Sequence, residues 1–120
     1  MNGIVDNANR ALLEISISAN AKAVKELITT WIDTAFNGGL VIPRTEIERL
    51  RLKKASIIEA ILADGTTVEL ETFACYIDWF GAAYKTQVVA NDGEYPLLGT
   101  TLLANRVLCV DYRAKTLTLE

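Results

Sequence analysis

The chain of 120 residues contains no histidine. A Ser-His-Asp triad, a Cys-His pair and a zinc site with histidine ligands all require an imidazole as base or ligand, so the sequence excludes these three kinds of site. Any acid-base chemistry therefore depends on carboxylates, lysine, tyrosine or cysteine.

Strong net charge and long apolar segments are also absent. The net charge is −3, and the twelve Lys and Arg residues are scattered except for one basic group, so we expect no nucleic-acid partner. No apolar stretch reaches the roughly 18 to 20 residues of a membrane span, and residues 1–10 lack the basic start and apolar run of a signal peptide. We therefore expect a cytoplasmic protein without a membrane partner. The basic group, which we interpret as the solvated face and end of a helix, comprises Arg49, Arg51, Lys53 and Lys54.

Cysteines are few and isolated. Cys75 and Cys109 lie in apolar, strand-like segments without a CxxC pattern. We expect both to be buried, reduced thiols, with a disulfide as the alternative. Reduced thiols agree with the predicted cytoplasmic location.

The composition is that of a folded globular protein. Hydrophobic residues make up 51% of the chain and charged residues 22%, which is typical of globular domains. A length of 120 residues is enough for one sizeable core but not for two independent ones. Since the sequence has no linker, low-complexity tract or charge block, we predict a single domain over residues 1–120.

Apolar and polar residues alternate through most of the chain. In residues 11–19 (ALLEISISA) leucine and isoleucine alternate with glutamate and serine, which is the two-residue period of a half-buried strand. Pro43 suits the first turn of a helix, because its φ is fixed and it has no N–H. These patterns predict an all-β domain of seven or eight strands and two short helices. Further strands are predicted in residues 24–33, 40–42, 57–81 (two strands), 84–92, 107–112 and 116–120, and the helices after Pro43 and in residues 100–106.

An Asp-Gly pair divides the long apolar pattern of residues 57–81. Such a pair between two alternating runs is a strong signal for a β-hairpin, because both residues accept the backbone angles of a tight turn. We predict two long strands joined by a turn at Ala63, Asp64, Gly65 and Thr66.

Asp33 lies where a predicted strand becomes a loop. It follows an apolar run and precedes Thr34, Ala35 and the sequence FNGG, whose Asn and Gly residues favour tight turns. A single Asp after a strand is usually a turn former or a helix cap. We give that interpretation to the other aspartates of the chain, which are Asp6, Asp64, Asp78, Asp92 and Asp111.

Three segments of the chain together resemble the retropepsin-like (clan AA) aspartic proteases. Asp33-Thr34-Ala35, followed by FNGGLVIP, resembles the Asp-Thr-Gly active-site segment of that family. Leu97-Leu98-Gly99, followed by TTLLANR, resembles its hydrophobic-hydrophobic-Gly element and helix, and the hairpin at residues 63–66 occupies the place of its flap. The resemblance extends from about Ala11 to the C-terminus and looks closest to the free-standing, single-domain prokaryotic members. It implies one all-β, closed, barrel-like lobe with one or two short helices and a flap hairpin.

The resemblance also implies an aspartic endopeptidase that needs no cofactor and acts on extended peptides or unfolded proteins. In such enzymes one carboxylate takes a proton from water while a second, protonated carboxyl polarises the peptide carbonyl. Two carboxyls about 3 Å apart cannot both ionise at low cost, so the pair shares one proton. Because the chain has only one such motif, the second carboxyl must come from a second copy. Asp33 of each copy would then meet at the two-fold axis of a homodimer.

Other roles follow from the same resemblance. Thr34 would hydrogen-bond across the dimer, and the flap would cover the cleft and exclude water. Residues 116–120, with residues near Met1, would pair between the subunits and so cover strand edges.

Ala35 departs from the family pattern, which commonly has glycine at this position. At negative φ its methyl group narrows the cleft at little cost, whereas at positive φ it adds strain of roughly 1 kcal/mol or more. This departure supports an alternative hypothesis, a catalytically weak or inactive homodimer that binds peptides or acts as a scaffold.

A third hypothesis is a β-domain without a peptide cleft, in which Asp33 is an ordinary turn residue. We also considered metal binding, because residues 63–66 (ADGT) and 91–94 (NDGE) carry oxygen ligands. Neither segment has the ligand spacing of a calcium loop. We therefore interpret both as turns and expect no metal site.

Overall fold

Strands account for most of the chain, as the alternating patterns predict. The computed structural model describes all residues from 1 to 120. Neither of its helices has the length and apolar character that crossing a membrane requires. The elements in chain order are β1 (Asn2–Val5), β2 (Ala11–Ser18), β3 (Glu26–Ile32), β4 (Leu40–Pro43), α1 (Arg44–Leu50), β5 (Lys53–Ile61), β6 (Thr67–Trp79), β7 (Ala82–Asn91), β8 (Leu97–Leu98), α2 (Thr100–Leu103), β9 (Leu108–Asp111) and β10 (Thr116–Leu119).

Six of the strands form a closed ring in the order β6, β7, β4, β8, β3 and β2, with β2 returning to β6. The ring closes where Ile17 pairs with Ile77 and Ser18 pairs with Tyr76. β5 extends outward from β6, and β1, β10 and β9 extend in that order from β2. We call these last three strands the terminal sheet. The ring agrees with the closed lobe that the sequence predicts.

The core is built mainly from the strands of the ring. Leu13, Ile15 and Ile17 are buried along β2, while Glu14 between them is exposed and Ser16 is half-buried. Successive side chains of a strand point to opposite faces of the sheet, so this burial pattern confirms the alternation predicted for β2. One cluster of 20 buried hydrophobic residues fills the interior.

Helix α1 begins directly after Pro43, as predicted, and buries Ile47 and Leu50. It ends at Leu50, because the next residue, Arg51, adopts the left-handed conformation with φ of 55°. The helix end predicted for the basic group is confirmed at Arg49, in the last turn, and at Arg51, the C-cap, but the prediction was wrong for Lys53 and Lys54. Lys53 and Lys54 instead begin β5 and pair with β6.

The strand count is ten rather than seven or eight, partly because β1 was not predicted. β1 is only four residues long and contains Gly3, so its sequence carries little strand signal. It pairs with β2 on one side and with β10 on the other, and β10 also pairs with β9. Both edges of β10 are therefore occupied within the chain, so the prediction that residues 116–120 pair between subunits was wrong.

The two cysteines lie in different environments. Cys75 is buried in β6, and burial raises the pKa of its thiol to about 12. Cys109 is exposed on β9, so its predicted burial was wrong, and both thiols are free. Only one face of β9 is turned toward the core, where Leu108 and Val110 are half-buried. Cys109 lies on the opposite face.

The turn role predicted for the other aspartates is confirmed at three of them. The side chains of Asp6, Asp64 and Asp111 each accept a hydrogen bond from a backbone N–H two to four residues later. For Asp78 the prediction was wrong, because it lies within β6 and pairs with Lys25 at 2.8 Å.

Ile17→Ala tests the assigned core, since Ile17 is 0% exposed and lies where the ring closes. We expect the free energy of unfolding to fall by about 2–5 kcal/mol, because a cavity replaces packed methyl groups. Urea denaturation measures the change. The control is Leu27→Ala on the adjacent strand β3, where the side chain is 63% exposed and the expected change is below about 0.5 kcal/mol. Equal losses in both variants would contradict the assigned core.

Candidate active site

The loop after β3 begins at Asp33 and is held by backbone hydrogen bonds on both sides. The N–H of Asp33 donates to the carbonyl oxygen of Leu98 at 2.9 Å, and the N–H of Phe36 donates to the carbonyl oxygen of Asp33 at 3.2 Å. β3 itself lies between β2 and β8 in the ring. The backbone position of Asp33 is therefore determined by the sheet.

The carboxylate of Asp33 accepts a hydrogen bond from the N–H of Ala35, with 3.0 Å between the nitrogen and Oδ1. The residue is half-buried and lines a cavity of about 340 Å³ with Trp31, Ile32 and Leu97. No lysine or arginine of the chain forms an ion pair with this carboxylate. It is therefore oriented by the backbone and accessible to a second reacting group.

The structure brings the second predicted segment, Leu97-Leu98-Gly99, next to the Asp33 loop. β8 lies between β3 and β4, where Leu98 pairs with Ile32 in parallel and with Leu40 in antiparallel orientation. Two segments far apart in the sequence thus become neighbouring strands. Leu98 is completely buried, so this junction belongs to the core of the ring.

Gly99 approaches the Asp33 loop more closely than a side chain would allow. Its N–H donates to the carbonyl oxygen of Gly39 at 2.8 Å. A Cβ atom at Gly99 would lie 2.6 Å from the carbonyl oxygen of Phe36 and closer still to that of Gly38. Real Cβ atoms essentially never come within 3.0 Å of such atoms. Only glycine therefore fits at this position.

Helix α2 also binds the loop. The N–H of Thr100 donates to the carbonyl oxygen of Phe36 at 2.8 Å, and the N–H of Thr101 donates to that of Gly38 at 3.1 Å. The hydroxyl of Thr101 donates to the carbonyl oxygen of Asn37 at 3.0 Å. Three successive loop carbonyls are thus satisfied by the start of one helix, which holds the loop in a single conformation.

Ala35 has an ordinary backbone conformation. It is exposed, borders the cleft described below and does not have positive φ. Its methyl group therefore adds bulk to the cleft without left-handed strain. Thr34 is exposed beside it on the same turn.

The predicted hairpin is present and joins β5 to β6. Its turn closes through a hydrogen bond from the N–H of Leu62 to the carbonyl oxygen of Thr66 at 2.8 Å. Gly65 has φ of 86°, which glycine adopts without cost. The side chain of Asp64 accepts hydrogen bonds from the hydroxyl and the N–H of Thr66, and these bonds hold the pKa of Asp64 below its usual value. The Asp-Gly signal in the sequence was therefore correct.

A cleft of about 770 Å³ lies between the hairpin and the loop that follows Asp33. Nine of its fifteen lining residues are hydrophobic, so it suits apolar side chains. The turn residues 63–66 do not line it, and the strands on either side of the turn form this wall instead. The lining comprises Ala35–Gly39 on the loop, Ile58–Ile61 and Leu70 on the hairpin, and Val41, Gln87 and Val89–Asn91 on β4 and β7.

Sequence reasoning missed two residues at this cleft. The ring of Phe36 packs against Gly38 and Gly99, at the contact between the two loops. Gln87 donates a hydrogen bond to the hydroxyl of Thr72 at 2.9 Å, and Thr72, which lies in β6, is completely buried. The sequence did offer a signal for Phe36, because an aromatic residue directly after Asp33-Thr34-Ala35 is placed to line a cleft at that loop. No pattern in the neighbouring sequence indicates that Gln87 lines a cleft, because its contact with Thr72 depends on the register of β6 and β7.

A cation lies beside the smaller cavity at Asp33. The guanidinium of Arg10 lies 5.8 Å from the ring centre of Trp31 and 4.7 Å from that of Tyr95. The side chain of Asp6 holds it at 2.7 Å. Hydrogen bonds from the backbone N–H and the guanidinium of Arg10 in turn keep the pKa of Asp6 below its usual value. This cluster was also not predicted.

The fold has known relatives, although no family model and no curated protein matches the sequence. The chain is similar to EIAV protease complexed with the inhibitor HBY-793, with a TM-score of 0.58 and 20% identity over 82% of this chain and 88% of that one. It is also similar to the retroviral protease-like domain of Ddi1 from Leishmania major, with a TM-score of 0.51 and 12% identity over 91% of this chain and 88% of that one. The fold is therefore retropepsin-like, which confirms the predicted fold, while the roles of the three segments stay predictions. The free-standing prokaryotic type stays a prediction.

Gly99→Ala tests the contact between the two loops. We expect it to lower the free energy of unfolding by about 1–3 kcal/mol, because the added methyl group meets backbone oxygens that cannot move aside. Thermal or urea denaturation gives the value. Gly93→Ala is the matched control, since its Cβ would meet only the Asn91 side chain at 3.2 Å. A Gly99→Ala protein as stable as this control would contradict the close approach.

Proposed function

We propose that the chain is an aspartic endopeptidase that cleaves extended peptides or unfolded proteins and works as a homodimer. The observation that carries the proposal is the place of Asp33 in a retropepsin-like fold. Its backbone is bound to Leu98, its carboxylate is accessible, and the loop it begins borders an apolar cleft. EIAV protease, which has this fold, binds an inhibitor.

The proposed chemistry uses two Asp33 carboxyls, one from each copy, which share one proton. The ionised carboxylate takes a proton from water while the water oxygen bonds to the peptide carbonyl carbon. The protonated carboxyl gives its proton to the carbonyl oxygen. When the resulting diol collapses, the C–N bond breaks, the amide nitrogen takes the proton from the first Asp33 carboxyl, and one hydroxyl of the diol returns a proton to the second. A carboxyl group and an amine are left, and the pair again shares one proton. No cofactor enters this scheme.

The residues around Asp33 support these steps by fixing its position. The N–H of Ala35 holds Oδ1, and the bond from Asp33 to Leu98 fixes the backbone. A carboxyl held in one orientation loses less entropy when it meets its counterpart and the water. We assign Thr34, exposed on the same turn, to a hydrogen bond across the dimer.

We assign the hairpin to covering the substrate. Its strands face the Asp33 loop across the cleft, where Ile58, Ile61 and Leu70 contribute apolar side chains. A peptide in an extended conformation fits a cleft between two backbone segments, because both offer hydrogen-bonding groups along its length. Closing the hairpin over it would exclude water from the reacting bond.

The proposed cytoplasmic location rests on the two free thiols. Cys75 and Cys109 form no disulfide, and a reducing compartment keeps cysteines in this state. Fractionation of cells that produce the protein, followed by immunoblotting, tests this location.

Asp33→Asn tests the proposed catalytic residue. We expect the cleavage rate of an unfolded protein between pH 3 and pH 8 to fall by about 10²–10⁴-fold, because the amide cannot accept the proton of water. The assay is run at concentrations where the wild type is dimeric by light scattering. The control is Asp92→Asn. The side chain of Asp92 is 96% exposed, and its one ion pair, with Arg44, is long at 3.9 Å. Its cleavage rate should equal that of the wild type.

A peptide-binding or scaffold dimer is the second candidate, and the methyl group of Ala35 at the cleft favours it. Peptide binding that is equal in wild type and Asp33→Asn, with no cleavage by either dimer, would replace the first proposal with this one. Isothermal titration with an extended apolar peptide measures the binding.

Ala35→Gly separates strain from bulk at that position. Because Ala35 lacks positive φ, we expect glycine to lower the free energy of unfolding by about 0.4–1 kcal/mol through the entropy of the unfolded chain. Removal of the methyl group should also raise kcat/KM for substrates with large side chains. A variant more stable than the wild type would instead show that alanine is strained here.

A further inference from the structure

One face of the sheet lines the cleft across β5, β6 and β7. Opposite residues of an antiparallel pair share a face, and every second residue of a strand returns to it. Thr72 lies opposite Ser56 on one side and opposite Val89 on the other. Gln87 lies two residues before Val89, so its side chain belongs to the same face. The side chains of this face that line the cleft include Ile58, Leu70, Gln87 and Val89.

A bulge in β5 places a hydroxyl group opposite Thr72. Lys54 pairs with Phe73, so a regular register would put Ala55 opposite Thr72. The register shifts between Lys54 and Ser56, and Ser56 takes that position instead. Bulges re-aim side chains in this way. Thr72 thereby gains a polar neighbour that alanine would not supply.

The hydroxyl of Thr72 is completely buried and has three polar neighbours. Its oxygen lies 3.1 Å from the carbonyl oxygen of Ser56, 2.8 Å from the hydroxyl of Ser56 and 2.9 Å from Nε2 of Gln87. A hydroxyl donates one hydrogen and accepts two. The carbonyl can only accept, so it takes the hydrogen of Thr72, and the other two neighbours donate. Every hydrogen-bonding site of this buried hydroxyl is then used.

This arrangement determines which end of the Gln87 amide faces Thr72. An amide oxygen at that place would meet only lone pairs, because the hydrogen of Thr72 is already engaged. The NH₂ group therefore binds Thr72, and the amide oxygen Oε1 points away from it. Turning the amide over would break this bond and leave a buried acceptor unsatisfied. The orientation of the Gln87 amide is thus fixed.

The rest of the amide is available to a ligand. Gln87 is exposed, and its side chain makes no hydrogen bond within the chain other than the one to Thr72. Oε1 is a free acceptor, and the second hydrogen of Nε2 is a free donor. The neighbouring side chains of the same face are apolar. A few fixed polar groups in an apolar cleft are what distinguishes one ligand from another.

The other polar side chains at the cleft do not offer this combination. Oδ1 of Asn91 accepts a hydrogen bond from the N–H of Gly93 at 3.2 Å, so its oxygen is engaged. The side chain of Asn37 forms no hydrogen bond within the chain, and only its backbone carbonyl is held, by Thr101. Glu59 follows Ile58 in β5, so its side chain points to the opposite face. Gln87 therefore carries the one amide oxygen of the cleft that is both free and fixed.

We propose that Gln87 is a specificity-determining residue that selects peptides with a side-chain primary amide, asparagine or glutamine, at one position in the cleft. A primary amide has a carbonyl that accepts and an N–H that donates, so it satisfies both free groups of Gln87. A carboxylate lacks the donor, and an aliphatic side chain lacks both groups. This inference rests on the proposed function, because it requires a peptide in the cleft.

Thr72 is a positioning residue in this proposal. It does not touch the peptide and acts through the amide that it holds. Without its hydroxyl the amide can turn over and present either end, so Gln87 no longer distinguishes a donor from an acceptor. The hydroxyl of Ser56 is less important. Thr72 still donates to the carbonyl of Ser56 and accepts from Gln87 when that hydroxyl is missing.

Peptide binding to the Asp33→Asn protein tests the preference without hydrolysis. A set of short, extended, apolar peptides carries glutamine, glutamate or methionine at each position in turn, because these side chains are similar in length. At one position we expect glutamine to bind about two- to tenfold more tightly than either of the others, since it alone satisfies both groups of the amide. Isothermal titration near neutral pH measures the dissociation constants.

Two variants assign the preference to named groups. Gln87→Met keeps the length of the side chain and removes the amide, so glutamine should lose its advantage at that position. Thr72→Val keeps the branched shape and removes the hydroxyl, so the advantage of glutamine over glutamate should fall. Ser56→Ala is the matched control, because it alters the same network but leaves the bond between Gln87 and Thr72, and it should retain the preference.

Circular dichroism verifies the fold of each variant. Gln87 is exposed, so Gln87→Met tests the proposal even if Thr72→Val fails to fold. The proposal would be overturned by the absence of binding, by equal affinity for the three side chains at every position, or by a preference that persists in Gln87→Met. The preference in a protein whose wild type does not cleave supports the role of Gln87 and removes only the protease proposal. Cleavage without the preference removes only the role of Gln87.

Discussion

The close approach of Gly99 to the loop after Asp33 is the constraint on which the candidate site depends. The absence of a side chain lets the backbone of Gly99 bond to Gly39 and places the first N–H groups of α2 against the carbonyls of the loop. The bond from Asp33 to Leu98 then joins the same two segments from the other side. Asp33 is thus positioned by backbone hydrogen bonds, including the one from the N–H of Ala35 to Oδ1, and its carboxylate forms no ion pair within the chain.

This constraint explains why the ring of six strands matters for function. β8 is only two residues long, yet it lies between β3 and β4 and is buried by both. A strand so short has no stability of its own and is held by its neighbours. The closed ring therefore holds the loop from below, while β5 and the first residues of β6 extend beyond the ring beside the cleft.

The proposed reaction needs two carboxyls, and one lobe supplies a single Asp33, so the proposal makes two-fold symmetry part of the chemistry. The ring has no open edge, so a second copy can extend the sheet only through strands outside it. The hairpin borders the cleft, while the terminal sheet ends in β9, whose outer edge has no neighbouring strand.

Features with a local chemical cause were predictable. The turn at Asp64 and Gly65 needs residues that tolerate its backbone angles, and Pro43 can begin a helix whatever lies around it. Features that depend on distant partners were not. The basic residues after Leu50 suit a helix end as well as a strand, and only pairing with β6 decides for the strand.

The same division holds for the candidate site. Asp33 became a candidate because Asp33-Thr34-Ala35 resembles a family motif, whereas Phe36 and Gln87 owe their positions to loop contact and strand register. The wall of the cleft also lies on the strands of the hairpin rather than at its turn, since register determines which side chains face the loop.

By itself, the sequence determined the class of the fold, the hairpin and the absence of imidazole chemistry, because periodicity, turn chemistry and composition act over a few residues. Only the tertiary structure decided that Ala35 is unstrained, that β10 is enclosed on both sides and that β9 is left as an open edge. Backbone angles and unpaired edges depend on which segments meet in space, and hydrogen bonds between segments distant along the chain are settled only when the whole sheet has formed.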